Sequence, residues 1–274
     1  MEALAGGKLR LDEPAPHVTR ITLDHPAKRN ALDHEILDAF AGLLPQLDAR
    51  CLLITGTGRV FSAGYDIGAL PRDAEPTSSA GTGDFARAAE AIVAHPFTAA
   101  IEALDAYPYP VLAALNGHAI GGGLELALSC DLRVCSADAR LGMPPARLGL
   151  VYSHTGLRKF LDALGAPRTR ELFFTARAVG AEEALAWGLV GEVVHPDAVA
   201  ARGVELAAEI AANAPLSLAG NKRVIRELLA AEGALDPAIE AELVALRDAC
   251  FSSADFFEGV RAFAEKRPPR WQGR

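Results

Sequence analysis

Two glycine-rich turns, each joining a strand-like run to a helix-like run, constrain the fold more than any other feature of this sequence. The first is VFSAGYDIGAL (60–70), and the second lies within NGHAIGGGLELALSCDLR (116–133). Glycine lets the backbone turn sharply there and leaves N–H groups uncovered by side chains. Strand, glycine turn and helix recur at loose spacing along the chain, which predicts an α/β fold of stacked ββα units.

The hydrophobic pattern divides the chain into two regions. Predicted strands lie at 17–24, 51–55, 111–115, 131–136 and 190–195. A predicted surface loop at 71–83 lies between two predicted helices, at 33–47 and 84–106. Further helices are predicted to open near 154–156 and to span 198–213, 216–231, 235–250 and 254–266. We therefore expect an α/β core over 1–195 and a helical C-terminal region over 196–274.

Composition excludes several classes of protein. The 274 residues are 50% hydrophobic, enough to bury a core without disulfides or metal. A net charge of −8 argues against non-specific electrostatic binding to nucleic acid or to an anionic membrane. No apolar run approaches the length of a membrane span, and no signal peptide is recognised. The four cysteines lack C-x-x-C spacing and are interpreted as reduced core thiols of a cytoplasmic protein: Cys51, Cys130, Cys135 and Cys250.

Several catalytic motifs are absent. The sequence has no G-x-G-x-x-G or Walker loop, no G-x-S-x-G elbow, no H-E-x-x-H and no cluster with metal-ligand spacing. Dinucleotide-dependent redox enzymes, serine hydrolases and zinc hydrolases are thereby disfavoured.

The glycine turns themselves suggest a chemistry. If they converge, they direct two backbone N–H groups at one carbonyl oxygen and form an oxyanion hole. The structural alternative is that each turn only allows a helix to pack closely on a strand. Glu125, one turn inside the second helix and between Leu124 and Leu126, is predicted to be partly buried. Burial would raise its pKa and suit it to proton transfer, although a first-turn glutamate also simply complements a helix dipole.

The sequence resembles the crotonase superfamily, the relatives of enoyl-CoA hydratase/isomerase. The resemblance runs from about Val18 to Gly273 through FSAGYDI, NGHAIGGGLELALSCDLRV, PPARLGL and EGVRAFAEKRPPRWQG. It implies a spiral of ββα turns, a helical trimerisation region, and a homo-oligomer that is a trimer or a dimer of trimers. It also implies an acyl-CoA thioester as substrate, with Tyr65 and Gly122 as oxyanion N–H donors and Glu125 as a catalytic carboxyl.

One position departs from the family pattern. Hydratases carry a second glutamate in a P-E-x-x-x-G loop, where this chain has Pro145. Proline cannot titrate, which places hydration by the usual two carboxylates in doubt. His154 and Tyr152 lie in the altered loop: His154 is either a substitute proton carrier or a helix cap or loop hydrogen-bonding residue, and Tyr152 is expected to pack on the acyl pocket.

The resemblance also suggests where coenzyme A binds. Lys28 and Arg29 are candidates for phosphate contact, and solvated turn residues are the alternative. The first glycine loop is expected to contact the nucleotide through Ala63, Asp66 and Ile67, although Asp66 also suits a helix cap. Phe263 and Lys266 match positions that reach a neighbouring subunit's CoA in relatives. No cofactor is expected beyond the CoA of the substrate, and no metal.

The sequence thus predicts an enzyme that hydrates or isomerises an enoyl-CoA through a stabilised thioester enolate. Two alternatives on the same fold remain at this point. One is a non-catalytic acyl-CoA-binding protein, favoured by Pro145, and the other is an acyl-CoA thioester hydrolase or decarboxylase.

Overall fold

The structure is a computed structural model that describes residues 2–66, 95–232 and 237–272. Eleven strands are formed by these residues: β1 Glu2–Leu4, β2 Leu9–Ala15, β3 Val18–Leu23, β4 Cys51–Gly56, β5 Val60–Ser62, β6 Val111–Leu115, β7 His118–Ile120, β8 Leu132–Ser136, β9 Arg140–Gly142, β10 Ala178–Gly180 and β11 Glu192–Val194. Nine α-helices are formed by them: α1 His34–Leu43, α2 His95–Ala106, α3 Gly122–Leu128, α4 His154–Thr175, α5 Ala181–Ala186, α6 Val199–Ala211, α7 Pro215–Glu232, α8 Pro237–Phe251 and α9 Ala254–Glu265.

The strands form two sheets. The larger has the order β1-β2-β3-β4-β6-β8-β11 and is parallel from β3 onwards. The smaller has the order β10-β9-β7-β5, in which β9, β7 and β5 are parallel. Three consecutive strand pairs (β4 with β5, β6 with β7, and β8 with β9) each give one strand to each sheet before a helix follows. The stacked ββα units that the sequence predicts are therefore observed.

The central strands are buried on both faces because each face of the large sheet meets its own layer. In β4, Leu52 and Ile54 enter the main core, which also contains Phe40 of α1. Leu53, which points to the other face, packs in a second cluster with Ala207 of α6. This alternation is the period of two expected of a strand. Helix α1 is capped by Asp33, whose carboxylate accepts a 3.0 Å hydrogen bond from the Ile36 N–H.

Most of the predicted elements are confirmed. Strands occur within or across the five predicted ranges, and helices occupy the four C-terminal ranges to within a few residues. The predicted loop at 71–83 and the first part of the helix predicted from 84 lie outside the described residues, while 95–106 is helical. The strands outside the predicted ranges are β1, β2, β5, β7, β9 and β10. Of these, β5, β7 and β9 lie in segments interpreted as glycine turns and loops. The division of the chain at residue 195 stays a prediction.

Three cysteines confirm the interpretation as core thiols. Cys51, Cys130 and Cys135 are buried and free, and burial raises the pKa of each thiol to about 12. The side chain of Cys250 lies outside the described part of the chain.

Helix α7 differs from the other long helices because none of its residues is buried. It carries exposed apolar side chains at Leu216, Val224, Ile225, Leu228 and Leu229. It is fastened to the core by Lys222, whose ammonium donates to the Tyr109 carbonyl at 2.9 Å and to Asp131 at 2.8 Å. Among the described residues, no helix combines the length and the apolar character needed to cross a bilayer.

Candidate active site

The two glycine turns meet at one edge of the small sheet. Strands β5 and β7 are parallel neighbours, with Val60 opposite His118 and Ser62 opposite Ala119. The chain leaves both strands at their carboxyl ends, which lie on the same side of a parallel pair. Tyr65 therefore follows β5 at the place where Gly122 follows β7. We call the segments 63–66 and 121–123 the first and second corners.

The corners are in direct contact. A Cβ atom on Gly64 would lie 2.6 Å from the Ile120 carbonyl oxygen and 3.1 Å from the Gly122 nitrogen, and the φ of Gly64 is +85°. Standard backbone dimensions place that Cβ position about 3 Å from the Tyr65 nitrogen, so the two nitrogens are separated by about 6 Å or less. One oxygen can accept hydrogen bonds from two nitrogens at that separation.

The backbone pairing leaves both N–H groups available. Leu32 uses its N–H on the Gly64 carbonyl at 2.7 Å and accepts from the Asp66 N–H at 3.1 Å. Since N–H directions alternate along an extended chain, the Tyr65 N–H points away from Leu32. The Gly122 N–H opens α3, where no intrahelical acceptor exists. Neither N–H has an acceptor among the described residues.

Buried polar side chains brace the corners. The Ser62 hydroxyl accepts from the Gly64 N–H at 3.1 Å and donates to the Asn30 carbonyl at 2.8 Å. The Asn30 amide in turn donates to the Val60 carbonyl at 2.7 Å. The sequence analysis did not identify Ser62 or Asn30. The signal that could have identified them is that both are small polar residues next to the first glycine turn or the Lys28–Arg29 pair, in FSAG and KRN. The first corner is thus a braced turn rather than a loose loop.

Glu125 lies on α3 directly after the second corner, and its side chain is almost fully buried, with 4% of the residue exposed. Burial raises the pKa of this carboxyl to about 7, although a hydrogen bond from Tyr152 and the charge of Lys159 lower it and that of Asp105 raises it. A carboxyl with such a pKa exists in both protonation states near neutrality, so it can both take up and deliver a proton. The predicted burial of Glu125 is confirmed.

Tyr152 is the hydrogen-bond partner of this carboxyl. Its hydroxyl donates to Glu125 Oε2, and its ring packs edge-on against Phe173 with centroids 5.6 Å apart. Burial raises the pKa of the phenol well above its usual range, so it keeps its proton. The sequence placed Tyr152 in the pocket but did not identify this bond. Pro145, at the position of the family's second glutamate, is buried and begins a short 3₁₀ turn.

His154 is the first residue of α4, and its imidazole Nε2 lies 3.2 Å from Glu240 Oε1 on α8. The helix is capped by Ser153, whose hydroxyl accepts from the Gly156 N–H at 3.1 Å. The contact of His154 is therefore with the C-terminal helices, and the group bonded to Glu125 is Tyr152.

Four of the candidate CoA-binding residues lie together. Lys28 Nζ is 2.5 Å from Asp66 Oδ2, and the Arg29 carbonyl accepts from the Ala63 N–H at 3.0 Å. The turn that contains Lys28 and Arg29 is thus bonded to the first corner. Ile67 lies outside the described residues.

Phe263 and Lys266 lie elsewhere on the chain, at the end of α9. Phe263 is 58% exposed and lines a depression of about 330 Å³ together with Phe174 and Trp271. Lys266 ends the helix in a left-handed conformation. None of the residues of the first corner lines this depression.

Comparisons with known proteins agree on one family. The family model described as enoyl-CoA hydratase/isomerase matches residues 14–274. A carnitinyl-CoA dehydratase from Citrobacter koseri is 37% identical over 265 residues, which cover 94% of this chain and 95% of that protein. A solved methylmalonyl-CoA decarboxylase in complex with 2-nitronate-propionyl-CoA is similar with a TM-score of 0.85 at 26% identity, covering 97% and 99% of the two chains. An enoyl-CoA hydratase/isomerase from Pseudoalteromonas atlantica T6c has a TM-score of 0.81 at 28% identity, covering 97% and 100%.

Proposed function

We propose that this chain, which belongs to the enoyl-CoA hydratase/isomerase family, catalyses the reversible addition of water to the α,β double bond of an enoyl-CoA. Membership makes the chain an acyl-CoA enzyme. The proposal of this reaction rests on one observation: the buried carboxyl of Glu125 is carried by the helix that Gly122 opens, directly after the second corner. The dehydratase relatives support water as the group that is added or eliminated.

The corners would bind the thioester oxygen. The N–H groups of Tyr65 and Gly122 donate to it, and these bonds strengthen as negative charge develops on the oxygen in the enolate. A donor of this kind contributes roughly 2.7–4 kcal/mol to the stabilisation of a transition state. Because Ser62 braces the first corner, the donors are oriented before the substrate arrives.

Glu125 would carry the proton. As a carboxylate it takes a proton from water while the water oxygen bonds to C3 of the enoyl group, and the electrons of the double bond move toward the thioester oxygen. The resulting enolate then takes the same proton from the Glu125 carboxyl at C2. The net change is addition of H and OH, and Glu125 returns to its starting state.

Isomerisation of the double bond is the second candidate, because Pro145 stands where hydratases carry their second glutamate and cannot titrate. Here Glu125 takes the α proton of a 3-enoyl-CoA and returns it at the γ carbon through the same enolate. Both reactions are without net redox change, so we propose that the enzyme uses no cofactor other than the CoA of its substrate.

For the substrate's CoA, we propose binding by Lys28, Arg29 and the first corner, with Ala63, Asp66 and Ile67 against the nucleotide. We further propose a homo-oligomer, a trimer or a dimer of trimers, in which Phe263 and Lys266 reach the CoA of a neighbouring subunit. The exposed apolar row on α7 supports an interface between copies. The buried free thiols support a cytoplasmic location.

The test compares the wild-type chain with Glu125→Gln. Loss of conjugated thioester absorbance from crotonyl-CoA measures hydration, and gain of it from a 3-enoyl-CoA measures isomerisation. Exchange of the α hydrogens of butyryl-CoA in D₂O, followed by mass spectrometry, measures the shared enolate step. We expect Glu125→Gln to lower the rate by about 10²-fold or more while CoA affinity stays the same.

Glu182→Gln is the control, since Glu182 is an exposed carboxyl on α5, and it should keep full activity. Undiminished exchange in Glu125→Gln would exclude Glu125 as the proton carrier. Tight acyl-CoA binding without any exchange or turnover would instead identify a binding protein, and release of free thiol or CO₂ would identify a hydrolase or a decarboxylase.

A further inference from the structure

The Glu125 carboxyl has one hydrogen-bond donor in the part of the chain that the structure describes, the phenol of Tyr152. The two residues are 27 positions apart in sequence, so the bond exists only because the loop before α4 folds back over α3. Oε2 accepts this bond, and Oε1 accepts none from the described residues.

The ring of Tyr152 has two close neighbours. One is Phe173, which contacts Phe160 edge-on with centroids 5.0 Å apart. The other is Gly156, where a Cβ atom would lie 2.6 Å from Tyr152 Cε1 and 2.7 Å from Glu125 Oε1. The absence of a side chain at Gly156 therefore lets the phenol and the carboxyl pack side by side.

We infer that Tyr152 is a positioning residue for Glu125: its hydroxyl holds Oε2, so that Oε1 alone exchanges the proton with substrate and water. The inference rests on the proposed function, in which Glu125 is the proton carrier. Tyr152 supplies a hydrogen-bonding partner for the Glu125 carboxyl, which the side chain of Pro145 cannot do. It does so as a neutral donor, because burial and the charge of Glu125 both raise the pKa of the phenol.

Several charged or titratable groups around Glu125 and Tyr152 influence the pKa values at this site. Lys159 of α4, paired at 2.7 Å with Asp105 of α2, lowers the pKa of Glu125, and Asp105 raises it. At the first corner, the Tyr65 phenol has a raised pKa because of its burial and of Glu125, and Arg247 of α8 opposes this shift. Among the groups that favour the Glu125 carboxylate, the hydrogen bond from Tyr152 has the largest effect.

Removal of the hydroxyl should therefore raise the pKa of Glu125. For a hydrogen bond to a charged group we expect an upward shift of about one to two pH units. In Tyr152→Phe, kcat/KM at pH 7 should fall about 5- to 50-fold, because the ionised fraction of a carboxyl with a pKa of about 7 falls by that factor. The loss should shrink as the pH rises and more of the carboxyl ionises. KM should change little, since Tyr152 acts on Glu125 and not on CoA.

A second variant covers the case in which Tyr152→Phe does not fold. 3-Fluorotyrosine incorporated at position 152 keeps the shape of the side chain and makes the phenol a stronger donor, so the pH midpoint should move below that of the wild-type chain. Tyr107→Phe is the matched control, because the Tyr107 hydroxyl bonds to the Ala49 backbone at 2.6 Å and 3.0 Å. It should lower stability and leave the pH midpoint in place.

A direct readout separates this inference from the proposed function. The infrared band of the protonated Glu125 carboxyl, identified by its loss in Glu125→Gln, gives the pKa without turnover. If Glu125→Gln is inactive but neither position-152 variant moves the band or the pH–rate midpoint, the positioning role is overturned and the proposed function stands. If Glu125→Gln is fully active, the proposed function is overturned, and the inference with it.

Discussion

Replacement of Gly64 by alanine tests most directly whether contact between the two corners matters. Gly64 precedes the proposed donor Tyr65 and lies against the backbone of the second corner. The new methyl group would meet the Ile120 carbonyl oxygen at 2.6 Å and the Gly122 nitrogen at 3.1 Å. Neither atom belongs to a flexible side chain, so the backbone itself must move.

The expected effect of Gly64→Ala has two parts, a loss of folding free energy and a loss of reaction rate. Alanine at a φ of +85° costs about 1–2 kcal/mol in folding free energy, because the Cβ approaches the following carbonyl oxygen. The shortest ordinary Cβ contact is about 3.4 Å, so the corners must also separate by about 0.8 Å. A displacement of about 1 Å between catalytic groups and the reacting atoms lowers the rate about 10²-fold.

The assay pairs this variant with Gly58→Ala. Gly58 has a φ of +72°, and a Cβ there meets only the Pro26 side chain, at 3.7 Å. Gly58→Ala should lose about 1–2 kcal/mol of stability in urea unfolding, and Gly64→Ala should lose more because its methyl group also displaces backbone. Only Gly64→Ala should lose about 10²-fold in butyryl-CoA α-hydrogen exchange. Wild-type exchange in a folded Gly64→Ala would refute the reasoning, and so would an equal loss in both variants.

Three further predictions concern Glu125, Gly156 and Lys28. Burial raises the pKa of Glu125 from an ordinary value of 4.5 to about 7, so the folded chain holds a proton that the unfolded chain releases. Its contribution to stability therefore declines from pH 4.5 to 7, by on the order of 3 kcal/mol; urea unfolding of Glu125→Gln at pH 5 and pH 8 should lack this decline, and equal slopes in both proteins would contradict it. Gly156→Ala should lower kcat about tenfold or more by displacing the Glu125 carboxyl, whereas Gly42→Ala, where a Cβ meets nothing within 4 Å, should leave kcat unchanged. Lys28→Met should raise the Kd for CoA severalfold, as measured by calorimetry, and change unfolding free energy by less than about 1 kcal/mol since the Lys28 side chain is 56% exposed; an unchanged Kd would remove Lys28 from the CoA site.

Much of the fold could be predicted because its longer elements carry their own periodicity. Strands such as Cys51–Gly56 and Val111–Leu115 are continuous apolar runs, since the large sheet is covered on both faces. Helix His34–Leu43 repeats its apolar residues at helical spacing and begins at a capping aspartate. Strands of three residues, such as Val60–Ser62 and His118–Ile120, are too short to display a period, so they were hidden within the predicted turns.

In the site, the sequence by itself determined the glycine turns and the burial of Glu125, because the backbone freedom of glycine and the apolar neighbours of a helical position are local properties. Only the tertiary structure decided which groups meet there. Tyr152 rather than His154 bonds to the carboxyl, and His154 pairs instead with Glu240, 86 positions further along the chain. Such choices depend on how loops and helices distant in sequence pack against each other, and no local pattern of residues encodes that packing.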